Sequence, residues 1–153
     1  MTHPSTTASR GRRSGGFTAV ELLVALSITG VLSSIAYPSF SEQIDKSRRA
    51  DAFAAVTAVQ MAEERWRANQ PAYGTLAEIG AAAVSPAGRY SVAIGGHGAH
   101  DYSVVVSAQG VQARDSACRV MRIDVSGGNE TRASGPDASA ANPPAANRKC
   151  WSF

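Results

Sequence analysis

From Phe17 to Tyr37 the chain runs for 21 residues with one charged side chain, Glu21, among apolar, small and hydroxyl residues. As a helix rising about 1.5 Å per residue this stretch reaches about 31 Å, the thickness of a hydrocarbon core of about 30 Å. Such a segment must be covered by lipid or by other apolar surface. Arg10, Arg12 and Arg13 precede it and no acid falls in the first sixteen residues. A basic flank of this kind stays in the cytoplasm, so the C-terminal bulk of the chain is expected to face outward.

Glu21 is the anomaly. A carboxylate in an apolar span costs a few kcal/mol unless something compensates it. It lies four residues after Phe17, one helical turn on. If the chain were cut after Gly16, the new amine of Phe17 could pair with Glu21 of a neighbouring subunit, offsetting the burial of both charges and setting the subunit stagger.

The stretch Gly16-Phe17-Thr18-Ala19-Val20-Glu21-Leu22-Leu23-Val24 resembles the type IV prepilin cleavage and assembly motif. The resemblance implies that prepilin peptidase cuts between Gly16 and Phe17 and N-methylates Phe17, and that Glu21 governs methylation or assembly. Two features depart from the pattern: Val20 stands where Leu or Ile is more usual, and the sixteen-residue leader is long. Two other readings stay open. An ordinary secretory signal would be cut after Ser34-Ile35-Ala36, though its apolar region would exceed the usual ~7 to 15 residues. A plain single-pass anchor would leave Gly16 and Glu21 without a purpose.

Pro38 follows the run and predicts a kink, since proline removes a helical hydrogen bond and clashes with the preceding turn. The helical pattern resumes from Ser39 to Asn69, with Ala55, Val59, Ala62 and Trp66 on one face and Arg49, Glu63, Glu64, Arg65 and Arg67 assigned to the opposite, solvated one. The basic cluster Lys46, Arg48, Arg49 reads as part of that face or as a source of inter-subunit ion pairs. Residues 71–88 read as a loop with one helical turn near Leu76 to Ile79. Strands are expected at Arg89 to Ile94, Asp101 to Ser107 and Arg119 to Val125, with a hairpin at Gly127-Gly128-Asn129 returning through Glu130 to Ala133. Residues 134–147, poor in apolar bulk, read as a loop.

Cys118 and Cys150 lie far apart, with no C-x-x-C spacing and no adjacent histidine. One disulfide in an oxidising compartment fits better than a zinc or redox site. It would tie the tail to the start of the third strand, an arrangement that resembles the disulfide-bounded region of pilins. Trp151 and Phe153 are expected in the core or in subunit contacts. The resemblance as a whole implies an α+β pilin fold, a long N-terminal helix packed on a small antiparallel sheet. Its parts would be a leader over 1–16, a membrane and filament-core helix over 17–37, an amphipathic helix over 38–70, and loop, sheet and C-terminal loop over 71–153.

The net charge of +3 at first points to an anionic partner. Setting aside the three arginines of the first sixteen residues leaves twelve basic side chains against twelve acidic ones. Nucleic acid is therefore not expected as a partner of the mature chain. His97, His100 and Asp101 sit in a glycine-rich turn and read as exposed loop rather than as a metal site. No G-x-S-x-G or G-x-G-x-x-G motif is present, and neither a cofactor, a metal nor an enzymatic activity is expected.

The resemblance implies a minor subunit of a type IV pilus, similar to minor pilins that end in a Cys-Trp pair. A type II secretion pseudopilin and a membrane-anchored or exported binding module are the alternatives. The partners implied are prepilin peptidase, other pilin subunits, the inner-membrane assembly machinery and the membrane itself before assembly. The expected location is the inner membrane, single-pass with the C-terminal domain periplasmic, and then the extracellular pilus.

Overall fold

Apolar residues alternate along three segments of the C-terminal half, and the alternation decides how that half folds. The computed structural model describes residues 16–141 and 143–152. Most of the expected leader, over 1–16, and Phe153 thus lie outside the described residues. The chain divides into two units between Ser39 and Phe40. One helix, α1, Ala19–Arg67, contributes to both.

In the first unit, the large apolar side chains from Val20 to Ile35 are between 53% and 71% exposed. The rod is apolar all round, and among the described residues these side chains stand exposed. Three of its hydroxyls bond back to the helix: Ser27 donates to the Leu23 carbonyl at 2.8 Å, Thr29 to Ala25 at 2.7 Å and Ser34 to Val31 at 2.7 Å. Side chains that bond back to their own backbone need no water, which suits an apolar surrounding. α1 runs through Pro38, whose side chain lies outside the described residues, as do those of Tyr37 and Ser39.

The second unit holds a four-stranded antiparallel sheet in the order β1 (Tyr90–His97), β2 (Asp101–Ala108), β3 (Val120–Ser126), β4 (Asn129–Gly135). Val92 pairs with Val106, Val104 with Ile123 and Val106 with Met121. These in-phase pairs make one apolar face. Ala52, Ala55, Val56 and Val59 of α1 pack against it in a single buried cluster. On the opposite face a smaller cluster joins Val105, Val120 and Ala133 to Ala140.

Several expectations are corrected. β1 continues through Gly95, Gly96 and His97, which had been read as turn. A Cβ at Gly95 would meet the Ser103 Oγ at 2.5 Å, so glycine there lets the strands approach, and the Gly96 amide donates to that same oxygen at 3.1 Å. The hairpin falls at Gly127 and Gly128, with φ of 55° and 82°, the left-handed values a two-residue type I′ turn demands. The 134–147 segment is not all loop. β4 reaches Gly135, and a second helix, α2, spans Pro144–Trp151 with proline in its first turn. Too poor in apolar bulk for a core of its own, α2 is instead held by Cys150 and Trp151. Trp151 packs on Phe53 with ring centroids 5.4 Å apart and donates to the Ala133 carbonyl at 3.2 Å.

Arg49 and Glu63 do not lie on a solvated face; they are 2% and 0% exposed. Arg49 grips Asp115 through both carboxylate oxygens, Nε to Oδ2 at 2.7 Å and Nη2 to Oδ1 at 3.1 Å, and donates from Nη1 to the Lys149 carbonyl at 2.7 Å. One guanidinium thus joins α1, the connection between β2 and β3, and α2. The Cys118–Cys150 disulfide, with Cα atoms 5.4 Å apart, closes the same junction covalently. On α1, Asp51 accepts from the Ser85 hydroxyl at 2.6 Å and the Ala87 and Arg89 amides at 2.8 and 3.2 Å, shaping the entry to β1. Burial pushes this carboxyl up, but those hydrogen bonds outweigh it and hold Asp51 below the usual carboxylate range. Its contribution to stability is therefore present above the ordinary carboxyl value and is lost as pH falls through the depressed one.

Truncating Arg49 to alanine leaves Asp115 buried without its partner and should cost about 3 to 5 kcal/mol. Chemical denaturation of the detergent-solubilised chain measures this. Replacing the pair together, Arg49→Met with Asp115→Leu, should recover most of the loss. Opening the disulfide should cost about 3 to 4 kcal/mol.

Candidate functional site

The start of α1 is built by four residues. Thr18 stands immediately before the first helical residue, and its backbone N–H and hydroxyl both donate to Glu21 Oε2, at 2.7 and 2.8 Å. The Glu21 N–H returns a bond to the Thr18 hydroxyl at 3.2 Å. This is a capping box: each side chain satisfies a backbone donor that the helix start leaves unpaired. The negative charge also lies at the positive end of the helix dipole. Among the described residues no hydrogen bond reaches the second carboxylate oxygen, Oε1. Glu21 is therefore held in one orientation with an acceptor to spare.

Phe17 is 83% exposed. A Cβ added to Gly16 would meet nothing within 4 Å, so the subunit's own packing does not require glycine there. The structure brings Phe17, Thr18 and Glu21 together around one helix start and leaves the Gly16–Phe17 bond accessible. Thr18 was missed in the reading of the sequence, although the spacing Thr-x-x-Glu ahead of an apolar run is a legible signal.

In the second unit, His97 ends β1, His100 lies in the turn and Asp101 opens β2. Among the described residues no group of three or more metal-ligating side chains assembles. The basic cluster separates by role: Arg49 is buried, whereas Arg48 reaches Asp45 at 3.9 Å and borders a groove that Arg89 also lines. Arg48 and Arg89 line a groove of about 420 Å³ with Gly88, Gln109, Gly110, Val111 and Gln112. No acid is among its lining residues. A second, larger groove of about 820 Å³ runs between α1 and β2–β4, lined by Met61, Tyr73, Tyr102 and Val125 and rimmed by Glu64 and Glu130.

An uncovered apolar rod with a capped Phe-Thr-Ala-Val-Glu start, continuing into a helix that packs on an antiparallel sheet with a C-terminal disulfide, defines a type IV pilin. Residues 11–37 match the prokaryotic N-terminal methylation motif. Residues 38–122, more than half of the chain, match the family described as "Type IV minor pilin ComP, DNA uptake sequence receptor". The chain belongs to this family of type IV minor pilins. Comparison with individually curated proteins gives no match. Among the described residues α1 is the one helix long and apolar enough to cross a membrane, which fits a membrane-anchored pilin.

Thr18→Ala should remove one donor to Glu21 and the acceptor for the Glu21 N–H, weakening the helix start by about 1 kcal/mol. Amide exchange at Glu21 and Leu22 in detergent should accelerate accordingly, and Thr18→Ser should restore protection.

Proposed function

We propose that this minor pilin enters the inner membrane by its apolar rod with the globular unit in the periplasm. Prepilin peptidase then cuts between Gly16 and Phe17 and N-methylates Phe17, and the mature chain joins other pilin subunits through the assembly machinery to enter or prime a filament. The observation that carries this reading is the free Oε1 of a Glu21 fixed by Thr18 at the start of a rod whose large apolar side chains stand exposed among the described residues. In a filament core, Oε1 takes the charged amine of a neighbouring subunit's N-terminal residue, so two charges that are costly alone are buried as a pair. The role is structural rather than enzymatic, and the match to a minor pilin family favours it over a secretion pseudopilin or an exported binding module.

Mass spectrometry of the mature chain should find N-methylated Phe17 at the N-terminus; a start at Tyr37, or retention of Met1, refutes the processing scheme. Glu21→Ala should abolish incorporation into pili while leaving the membrane-bound pool intact, and unchanged incorporation removes the basis for ion-paired docking.

The family description brings in a second reading, that the globular unit binds DNA. The even balance of charge over the mature sequence argued against nucleic acid, but a balanced total permits a local excess. The groove of Arg48 and Arg89, free of acid among its lining residues, supports phosphate contact at that place. Arg48→Gln with Arg89→Gln should weaken binding of duplex DNA and lower the slope of log K against log salt by about two. An unaltered affinity and slope would place any DNA contact elsewhere.

A further inference from the structure

Glu63 is fully buried on α1, one turn before the helix ends. Its Oε2 accepts from the Gly74 N–H at 3.0 Å, and its Oε1 has no hydrogen-bond partner. No lysine or arginine forms an ion pair with it among the described residues. A carboxylate removed from water with one amide and no cation is costly, whereas a protonated carboxyl in the same place is much less so.

The contact is mechanically connected. A Cβ at Gly74 would meet Ile79 Cγ2 at 2.8 Å and Trp66 Nε1 at 3.1 Å, so the turn fits tightly against the end of α1. Next to it, the Tyr73 N–H donates to the Gly98 carbonyl at 2.9 Å, and the Gly98 N–H donates to the Asp101 carbonyl at 2.8 Å. Glu63 therefore holds the 73–74 turn, and the turn holds the tip of the β1–β2 hairpin. An ionised Glu63 that turns toward water leaves the buried Gly74 N–H without an acceptor, so the turn has to follow it.

We propose that Glu63 is a proton-linked clasp: uncharged, it fastens the 73–74 turn and the β1–β2 tip to α1, and on ionising it lets them loosen. The ionisable groups that face it are Glu64 on α1, Glu78 in the loop, His97 at the end of β1 and, through its phenol, Tyr102 on β2. Burial is the main cause that pushes the Glu63 carboxyl above its ordinary value, and Glu64 and Glu78 push the same way. The Gly74 amide and a charged His97 oppose the shift without reversing it. With the closed-state value raised, the closed state binds the proton more tightly. Clasp stability is therefore full below the ordinary carboxyl value and declines as pH rises from there through the raised one, then levels off. The Tyr73 ring also rests on Tyr102 at 4.4 Å and under Arg67 at 5.1 Å, so the turn that Glu63 fastens is in contact with β2 as well as with α1.

Amide exchange of the full-length chain in detergent, corrected for intrinsic rates, tests the proposal at Tyr73 and Gly74 as a function of pH. Protection should fall several-fold across the window in which carbon-13 NMR shows the Glu63 carboxyl titrating, with amides in the centre of β3 unchanged. Glu63→Gln should flatten the profile and His97→Gln should preserve it. A carboxyl that titrates at or below its ordinary value, a flat wild-type profile, or a fall that survives Glu63→Gln and vanishes in His97→Gln would each overturn the clasp. The wild-type titration keeps the test decisive even if Glu63→Gln fails to fold.

Discussion

A guanidinium taken out of water must be matched group by group, and the globular unit is organised around one such match. Arg49 projects from α1 into the junction of the β2–β3 connection and α2, where Asp115 accepts two of its hydrogen bonds and the Lys149 carbonyl a third. Of these segments α1 packs its own apolar stripe on the sheet, whereas α2 is poor in apolar bulk. A purely apolar contact would bind them as strongly, but could slide. The ion pair specifies a single arrangement, and in that arrangement Cys118 and Cys150 meet. Gln112 continues the polar junction, its side-chain amide donating to the Asp45 carbonyl at 3.3 Å.

The two units handle burial in opposite ways. In the globular unit the apolar face of the sheet is covered by α1, and most of the buried polar groups of α1 are spent on binding particular loops: Asp51 the entry to β1, Arg49 the C-terminal segment, Glu63 the 73–74 turn. Each is a polar side chain placed where α1 meets backbone that has no strand partner. The rod does the reverse. Ser27, Thr29 and Ser34 bond back to their own helix, its apolar side chains are left exposed, and its one charge is oriented with an acceptor unused. Such a surface is incomplete by itself and calls for lipid or other apolar surface to cover it.

Much of this was legible beforehand. The Phe17–Tyr37 run, the Glu21 anomaly, three strands and the Gly-Gly hairpin follow from length, period and turn chemistry, each carried by neighbouring residues. The course of α2 was not, because its few apolar residues acquire meaning only from partners on β4 and the β2–β3 connection. Arg49 and Glu63 were assigned to solvent by residue type, although they stand seven residues either side of Val56 on the buried face. Helical spacing contained the signal, and polarity overrode it. Arg48 and Arg89, forty-one positions apart, have no sequence pattern that would join them.

Local chemistry therefore determined from the sequence alone that a span-length apolar helix follows Gly16-Phe17 and carries Glu21 one turn in, that alternating strands follow, and that two cysteines remain to be paired. Only the tertiary structure decided which polar side chains are buried and what they grip, and that two distant arginines share a groove. The reason is physical: caps, turns and periodicities depend on interactions a few residues apart, whereas the cost of burying a charge depends on groups that only the folded chain brings beside it.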